Sequence, residues 1–177
     1  AAVGLAFTEH NILSQILGDV SSKAGDVEAS AINNANFRTR ATGATITTAP
    51  QGANTAAAAV AVTVNRNSAK AYVGDDVVIN AKGDVDVTVH SSQNTTGYFP
   101  AYMSAQAIAA SIATGMNGTL GLAGAVAVLS AYADSIAQIG NNVSITAGGD
   151  ILVEAIDFGK LAIRALGANI GRQTLGV

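Results

Sequence analysis

The chain has no cysteine, no tryptophan and only two prolines among its 177 residues. Without cysteine there is no disulfide staple, no thiolate nucleophile and no thiolate metal ligand, so the fold must hold together by burial and backbone pairing. Charge is scarce too: nine Lys and Arg stand against twelve Asp and Glu, for a net charge of -3. The basic residues are scattered singly, which excludes the clustered positive footprint of a nucleic-acid-binding protein. Four Phe and four Tyr are the only aromatics. Alanine makes up about a fifth of the chain and glycine supplies 19 residues. A chain of this length forms a substantial core, and this one must build it from small side chains.

What is present is a repeat. The segment Ala71-Tyr72-Val73-Gly74-Asp75-Asp76-Val77-Val78-Ile79-Asn80-Ala81-Lys82-Gly83-Asp84-Val85 returns as Ala137-Gln138-Ile139-Gly140-Asn141-Asn142-Val143-Ser144-Ile145-Thr146-Ala147-Gly148-Gly149-Asp150-Ile151, sixty-six residues on. At the same offset Ala59-Val60-Ala61-Val62 lies over Ala125-Val126-Ala127-Val128. A weaker first copy places Ala2-Val3 over Ala59-Val60, Ile16 over Val73 and, after a one-residue slip, Gly25-Asp26-Val27-Glu28 over Gly83-Asp84-Val85-Asp86. A last fragment sets Thr174-Leu175-Gly176-Val177 over Thr119-Leu120-Gly121-Leu122. The units run over 1–58, 59–124 and 125–177 of a single segment. Repeats that cannot each bury an apolar face stack on their neighbours, which makes a solenoid.

Strand is the expected conformation. Val77 to Ala81 and Val85 to Val89 are rich in β-branched residues, the second alternating at period two, and the runs end at Gly-Asp, Gly-Gly-Asp or Asn-Asn turns. The uncharged stretch from Val87 to Ala133 invites a membrane helix or an alanine-rich soluble helix. Ser104, Gln106, Ser111, Thr114 and Asn117 interrupt it before the ~20 apolar residues a membrane span requires. We therefore expect strands between Ala101 and Ala127, and no membrane insertion of the segment.

Divided into coils of about 22 residues, the repeat predicts an all-β fold, a right-handed parallel β-helix of about eight coils. At ~4.8 Å per coil the rod would be roughly 40 Å long. Val and Ile ladders are expected inside, with Asn, Thr, Ser and Asp on turns and outer faces. Because it begins and ends within a repeat, the chain reads as a piece of something longer or as a subunit whose ends abut. Unpaired strand edges at both ends would then be capped by flanking sequence or by another subunit.

The pattern at Ala71 to Val87 and its second copy at Ala137 to Val153 resemble the repeats of very large exported bacterial adhesins of the filamentous haemagglutinin and leukotoxin-like type. The resemblance implies a right-handed β-helix, export across the outer membrane by a two-partner or autotransporter route, and display as a stalk or fibre. It implies nothing specific about a ligand. The family's secretion-signal domain and a β-barrel anchor are not recognisable in these residues.

Asp75, Asp76, Asp84 and Asp86 are the weak candidates for a hard cation such as Ca²⁺, which takes carboxylate oxygens. Solvated turn residues are the favoured reading, because Asp75 and Asp76 become Asn141 and Asn142 in the next unit. No cofactor is expected. His10 and His90 read as lone surface imidazoles. No Ser lies in a Gly-x-Ser-x-Gly context, and Glu9, Glu28 and Glu154 fall in different units, so a polysaccharide-active enzyme is the least favoured reading. Tyr98, Phe99 and Tyr102 break the repeat and form a candidate contact surface for protein or glycan. Val3, Leu5, Leu175 and Val177 are the candidates for end-to-end stacking.

These residues together lead us to expect a noncatalytic structural or adhesive solenoid, extracellular or on a bacterial surface, acting as a stalk whose sides contact a surface protein or glycan. The alternative is the protomer of an extracellular filament that stacks end to end by strand addition.

Overall fold

A computed structural model describes residues 1–34, 38–48, 54–92, 103–114, 120–158, 161–170 and 173–176. The aromatic candidates Tyr98, Phe99 and Tyr102, and Val177, lie outside the described residues. Among the described residues all regular structure is strand: β1 (Ala2–Ile16), β2 (Val20–Ser22), β3 (Val27–Asn33), β4 (Arg38–Thr48), β5 (Thr55–Val73), β6 (Val78–Ala81), β7 (Val85–Ser92), β8 (Met103–Thr114), β9 (Leu120–Ile139), β10 (Ser144–Thr146), β11 (Ile151–Phe158), β12 (Leu161–Ile170) and β13 (Gln173–Gly176). Among the described residues no helix is long and apolar enough to cross a membrane.

The strands form four parallel sheets, ordered β1-β5-β9-β13, β2-β6-β10, β3-β7-β11 and β4-β8-β12. This is a parallel β-solenoid, and the Ala/Gly-rich stretch forms strands β8 and β9. The repeat alignment is the physical register: Ala2 faces Ala59, Ile16 faces Val73, Val27 faces Val85, Ala59 faces Ala125 and Val85 faces Ile151. At β13 the register differs from the alignment by two residues, with Leu175 opposite Leu122.

The coil size expected from sequence is corrected. Stacked residues lie 53 to 66 positions apart, so one sequence unit is one coil of four strands and not three coils of about 22. The reason is strand length. Nothing between Thr55 and Val73 turns the chain, and β5 runs for 19 residues, about 60 Å. Three coils and the start of a fourth therefore give a broad slab only about 15 Å deep along its axis, in place of a thin rod.

Two cores lie side by side in the slab. Against the C-terminal half of β5, the returning strands build a Val/Ile core from Val73, Val77, Ile79, Val85, Val87 and Val89, with Val20 and Ile145 above and below. Here the expected inward Val and Ile ladders occur. Against the N-terminal half of β5, β4 and β8 build a core of alanine alone: Ala41, Ala57, Ala59, Ala61, Ala107, Ala109 and Ala123. In Ala59-Val60-Ala61-Val62 the alanines point inward, at 1% and 0% exposure, and the valines point out. The sheets approach closely here: a Cβ on Gly43 would overlap the Ala58 carbonyl oxygen, and the larger inward residues Thr39, Thr55, Thr63 and Ser111 flank the alanines. Polar outer faces were expected; around this second core the outer face of the long sheet is apolar instead, while that of the fourth sheet mixes Arg40, Thr42 and Gln106 with Ile46, Ile108 and Ile112.

Candidate functional site

Two features of the slab could carry function: the ladder of Gly-Asp turns at its narrow edge, and its broad outer walls. The ladder begins with Gly25-Asp26, Gly83-Asp84 and Gly149-Asp150, one pair per coil. The Asp84 N–H donates to Asp26 Oδ1 at 2.9 Å, and the Asp150 N–H donates to Asp84 Oδ1 at 2.8 Å. The Gly83 N–H donates to the Gly25 carbonyl, and the Gly149 N–H to that of Gly83. A Cβ on Gly83 would overlap Asp26 Oδ1, and one on Gly149 would overlap Asp84 Oδ1. Each glycine thus makes room for the aspartate of the preceding coil, which explains why the two residue types travel as a pair.

The other turn works similarly. Asp75 Oδ1 accepts the Asn141 N–H at 2.6 Å, Asp76 Oδ1 accepts from Asn142 Nδ2 at 3.2 Å, and Asp19 Oδ1 accepts the Val78 N–H at 2.8 Å. Asp76 and Asn142 both hold a left-handed backbone, φ 59° and 55°, a conformation that Asp and Asn tolerate. Of the four acids considered as cation ligands, Asp75, Asp76 and Asp84 therefore bind the neighbouring coil through a carboxylate oxygen. Among the described residues no three His, Cys, Asp or Glu side chains are placed to share a metal ion. His10 and His90 are both exposed.

Asp86 stands opposite Glu28 on the outer side of the third sheet. Its carboxyl titrates above the ordinary 3.8, through desolvation first and then through the negative charges of Asp84, Glu28, Asp26 and Asp150. The folded chain therefore holds this proton at higher pH than the unfolded chain does. The associated stability is complete below the unfolded value and is lost as pH rises through the folded one. Asp86→Asn is expected to raise the melting temperature at neutral pH. The gain should shrink with added salt and on acidification towards the ordinary aspartate range, as thermal melts across pH would show. A lower melting temperature at neutral pH would refute this.

The broad walls come from the outward residues of the long sheet and of the fourth sheet. Val3, Val60 and Val126 stand in one rank, Leu5, Val62 and Val128 in the next, and Phe7 beside Val64 in a third. Leu5 is 75% exposed, Phe7 65% and Val126 54%. On the fourth sheet Ile46, Ile112 and Ile170 form a rank, as do Thr42, Ile108 and Leu166. Val3 and Leu5 thus belong to the slab's first strand, but their side chains join this wall and do not point along the axis. Sequence reasoning missed the wall because Ala-Val-Ala-Val is apolar at both parities. The signal was the small size of every second residue, which marks the tight inner side.

A comparison with protein-family models finds no matching model. Searches of curated proteins and of solved structures likewise return no match. The reading of function therefore rests on the ladders and the walls.

Proposed function

We propose that the segment is a noncatalytic structural and adhesive element of an exported, surface-displayed bacterial protein, serving as a stiff spacer whose broad walls bind a surface protein or glycan. The observation that carries this reading is the continuous apolar wall of Val3, Leu5, Phe7, Val60, Val62, Val64, Val126 and Val128 on a framework of four parallel ladders. Contiguous exposed apolar ranks of this extent are characteristic of contact surfaces. The framework beneath them is locked coil to coil by hydrogen bonds, which suits a load-bearing spacer. The similarity of the repeat to filamentous haemagglutinin and leukotoxin-like adhesins supports the bacterial, extracellular part of the reading.

The test is attachment of beads coated with the segment to epithelial cell layers and to glycan arrays. Attachment above uncoated beads is expected. It should fall when Val3, Leu5 and Val62 are replaced together by Ser, with circular dichroism unchanged. Equal attachment by coated and uncoated beads would overturn the adhesive reading. Turnover on a polysaccharide panel that is lost on substituting Asp84 or Glu154 would overturn the noncatalytic one.

A further inference from the structure

The outer face of the fourth sheet carries charge of one sign only. In β8, Ala105, Ala107 and Ala109 are buried, so Gln106, Ile108 and Ile112 point outward. The register carries the same alternation onto β4 and β12. Arg40, Gln106 and Arg164 form one outward rank, Thr42, Ile108 and Leu166 the next, and Ile46, Ile112 and Ile170 stand beyond a rank of alanine. Alternation sets these directions, and the columns run through the middle coil.

Among the described residues no Asp or Glu holds an outward position on this sheet. With Arg38, it gathers three of the nine basic residues of a chain whose net charge is -3. Arg40 and Arg164 stand singly in the sequence, and stacking brings them two strand spacings apart, about 10 Å. Both are exposed, and the ion pair between Lys70 and Asp134 lies on the long sheet, away from them. The outward acids Glu28, Asp86 and Glu154 belong to the third sheet, three or more columns back from its Asn33 end. That is about 10 Å or more of strand. At physiological salt a charge is screened beyond roughly 8 Å, so these acids do not cancel the arginine rank.

The order of the ranks points to the partner. A guanidinium pairs with phosphate oxygens through parallel N–H groups, and Gln106 adds a donor between the two arginines. The isoleucine ranks beside them call for an apolar layer. A glycan would satisfy the arginines and leave the isoleucines in water, and an apolar protein patch would do the converse. A phospholipid surface offers phosphates above an acyl layer and meets both requirements. We propose that the outer face of the fourth sheet docks on an anionic phospholipid surface, Arg40, Gln106 and Arg164 at the phosphates and the ranks of Ile108 and Ile112 at the acyl boundary. The binding is peripheral, and no strand crosses the bilayer. It uses the side of the slab opposite the long-sheet wall on which the adhesive reading rests.

The test is co-sedimentation of the purified segment with two kinds of vesicle, phosphatidylcholine alone and phosphatidylcholine mixed with phosphatidylglycerol. Binding to the mixed vesicles should exceed binding to the neutral ones and should weaken with added salt. Arg40→Gln together with Arg164→Gln should lower partition onto mixed vesicles about tenfold or more and leave partition onto neutral ones unchanged. Ile108→Ser together with Ile112→Ser should lower both, with circular dichroism matching the parent. Replacing Val3, Leu5 and Val62 together by Ser should leave vesicle binding at the parent's level, which separates this proposal from the adhesive reading. A segment that sediments with neither vesicle overturns the proposal. So does vesicle binding that survives the paired arginine substitution, or that is lost only with Val3, Leu5 and Val62. Retention on sulfated-glycan beads without vesicle binding would also overturn it and assign the face to a glycan.

Discussion

Ile79→Asp is expected to abolish folding of the segment under ambient conditions. Ile79 is 0% exposed and stands between Val20 and Ile145, enclosed by Val77, Val85 and their neighbours. A carboxylate there has neither solvent nor a cation. Burying it costs several kcal/mol, or forces it to stay protonated at a similar cost. Domains of this size are stable by about 5–15 kcal/mol in total, and coils in a solenoid depend on their neighbours, so the damage extends beyond one layer. Circular dichroism and urea unfolding of the purified segment would show loss of the strand signal and of the cooperative transition. The control is the adjacent Val78→Asp: Val78 points outward at 39% exposure, and a charge there should be tolerated. Equal effects of the two substitutions would contradict the inward-outward assignment.

The second large effect needs no change of composition. Rewriting Ala59-Val60-Ala61-Val62 as Val-Ala-Val-Ala keeps the same residues and the same hydropathy, yet it should destabilise the slab by about 2–6 kcal/mol, taking roughly 1–3 kcal/mol for each overpacked site. The inward alanines face Ala107 and Ala109 across a gap in which backbone already nears backbone at Gly43 and Ala58. Two valines there must push the sheets apart along the length of the alanine core. The outward valines are half-buried between Val3 and Val126 and between Leu5 and Val128, so the alanine half of the exchange adds a smaller loss. The shift in the urea midpoint at constant slope would measure it. An unchanged midpoint would mean that the sheets are spaced for larger side chains.

Strand type was legible because β-branched residues, period-two alternation and Gly-Asp turns agree with one another at Val77–Val89 and again at Val143–Val153. Register was legible for the same reason, since aligned Gly-Asp pairs become stacked Gly-Asp pairs. Coil size was not: a period of sixty-six residues fits one long coil or several short ones. The deciding feature was the absence of Gly, Pro and Asp over Thr55–Val73, which is weaker than a positive motif because Asn65, Asn67 and Ser68 stand within the strand. The role of the aspartates was also hidden. Asp75 and Asp84 look like solvated turn residues or cation ligands until the N–H groups of Asn141 and Asp150 are seen beside them.

The sequence by itself determined that this chain is a stack of parallel strands, and which residues share a column. Repetition forces equivalent residues into equivalent columns, and alternation assigns each column two faces. Only the tertiary structure decided which face is inside where both parities are apolar, since in Ala-Val-Ala-Val the hydrophobic effect favours neither side by enough. The spacing between sheets settles it. That spacing follows from how far β4 and β8 lie from β5, with alanine admitted inside and valine left on the outer wall. The wall is therefore a consequence of packing distance, a quantity that no single stretch of the chain encodes.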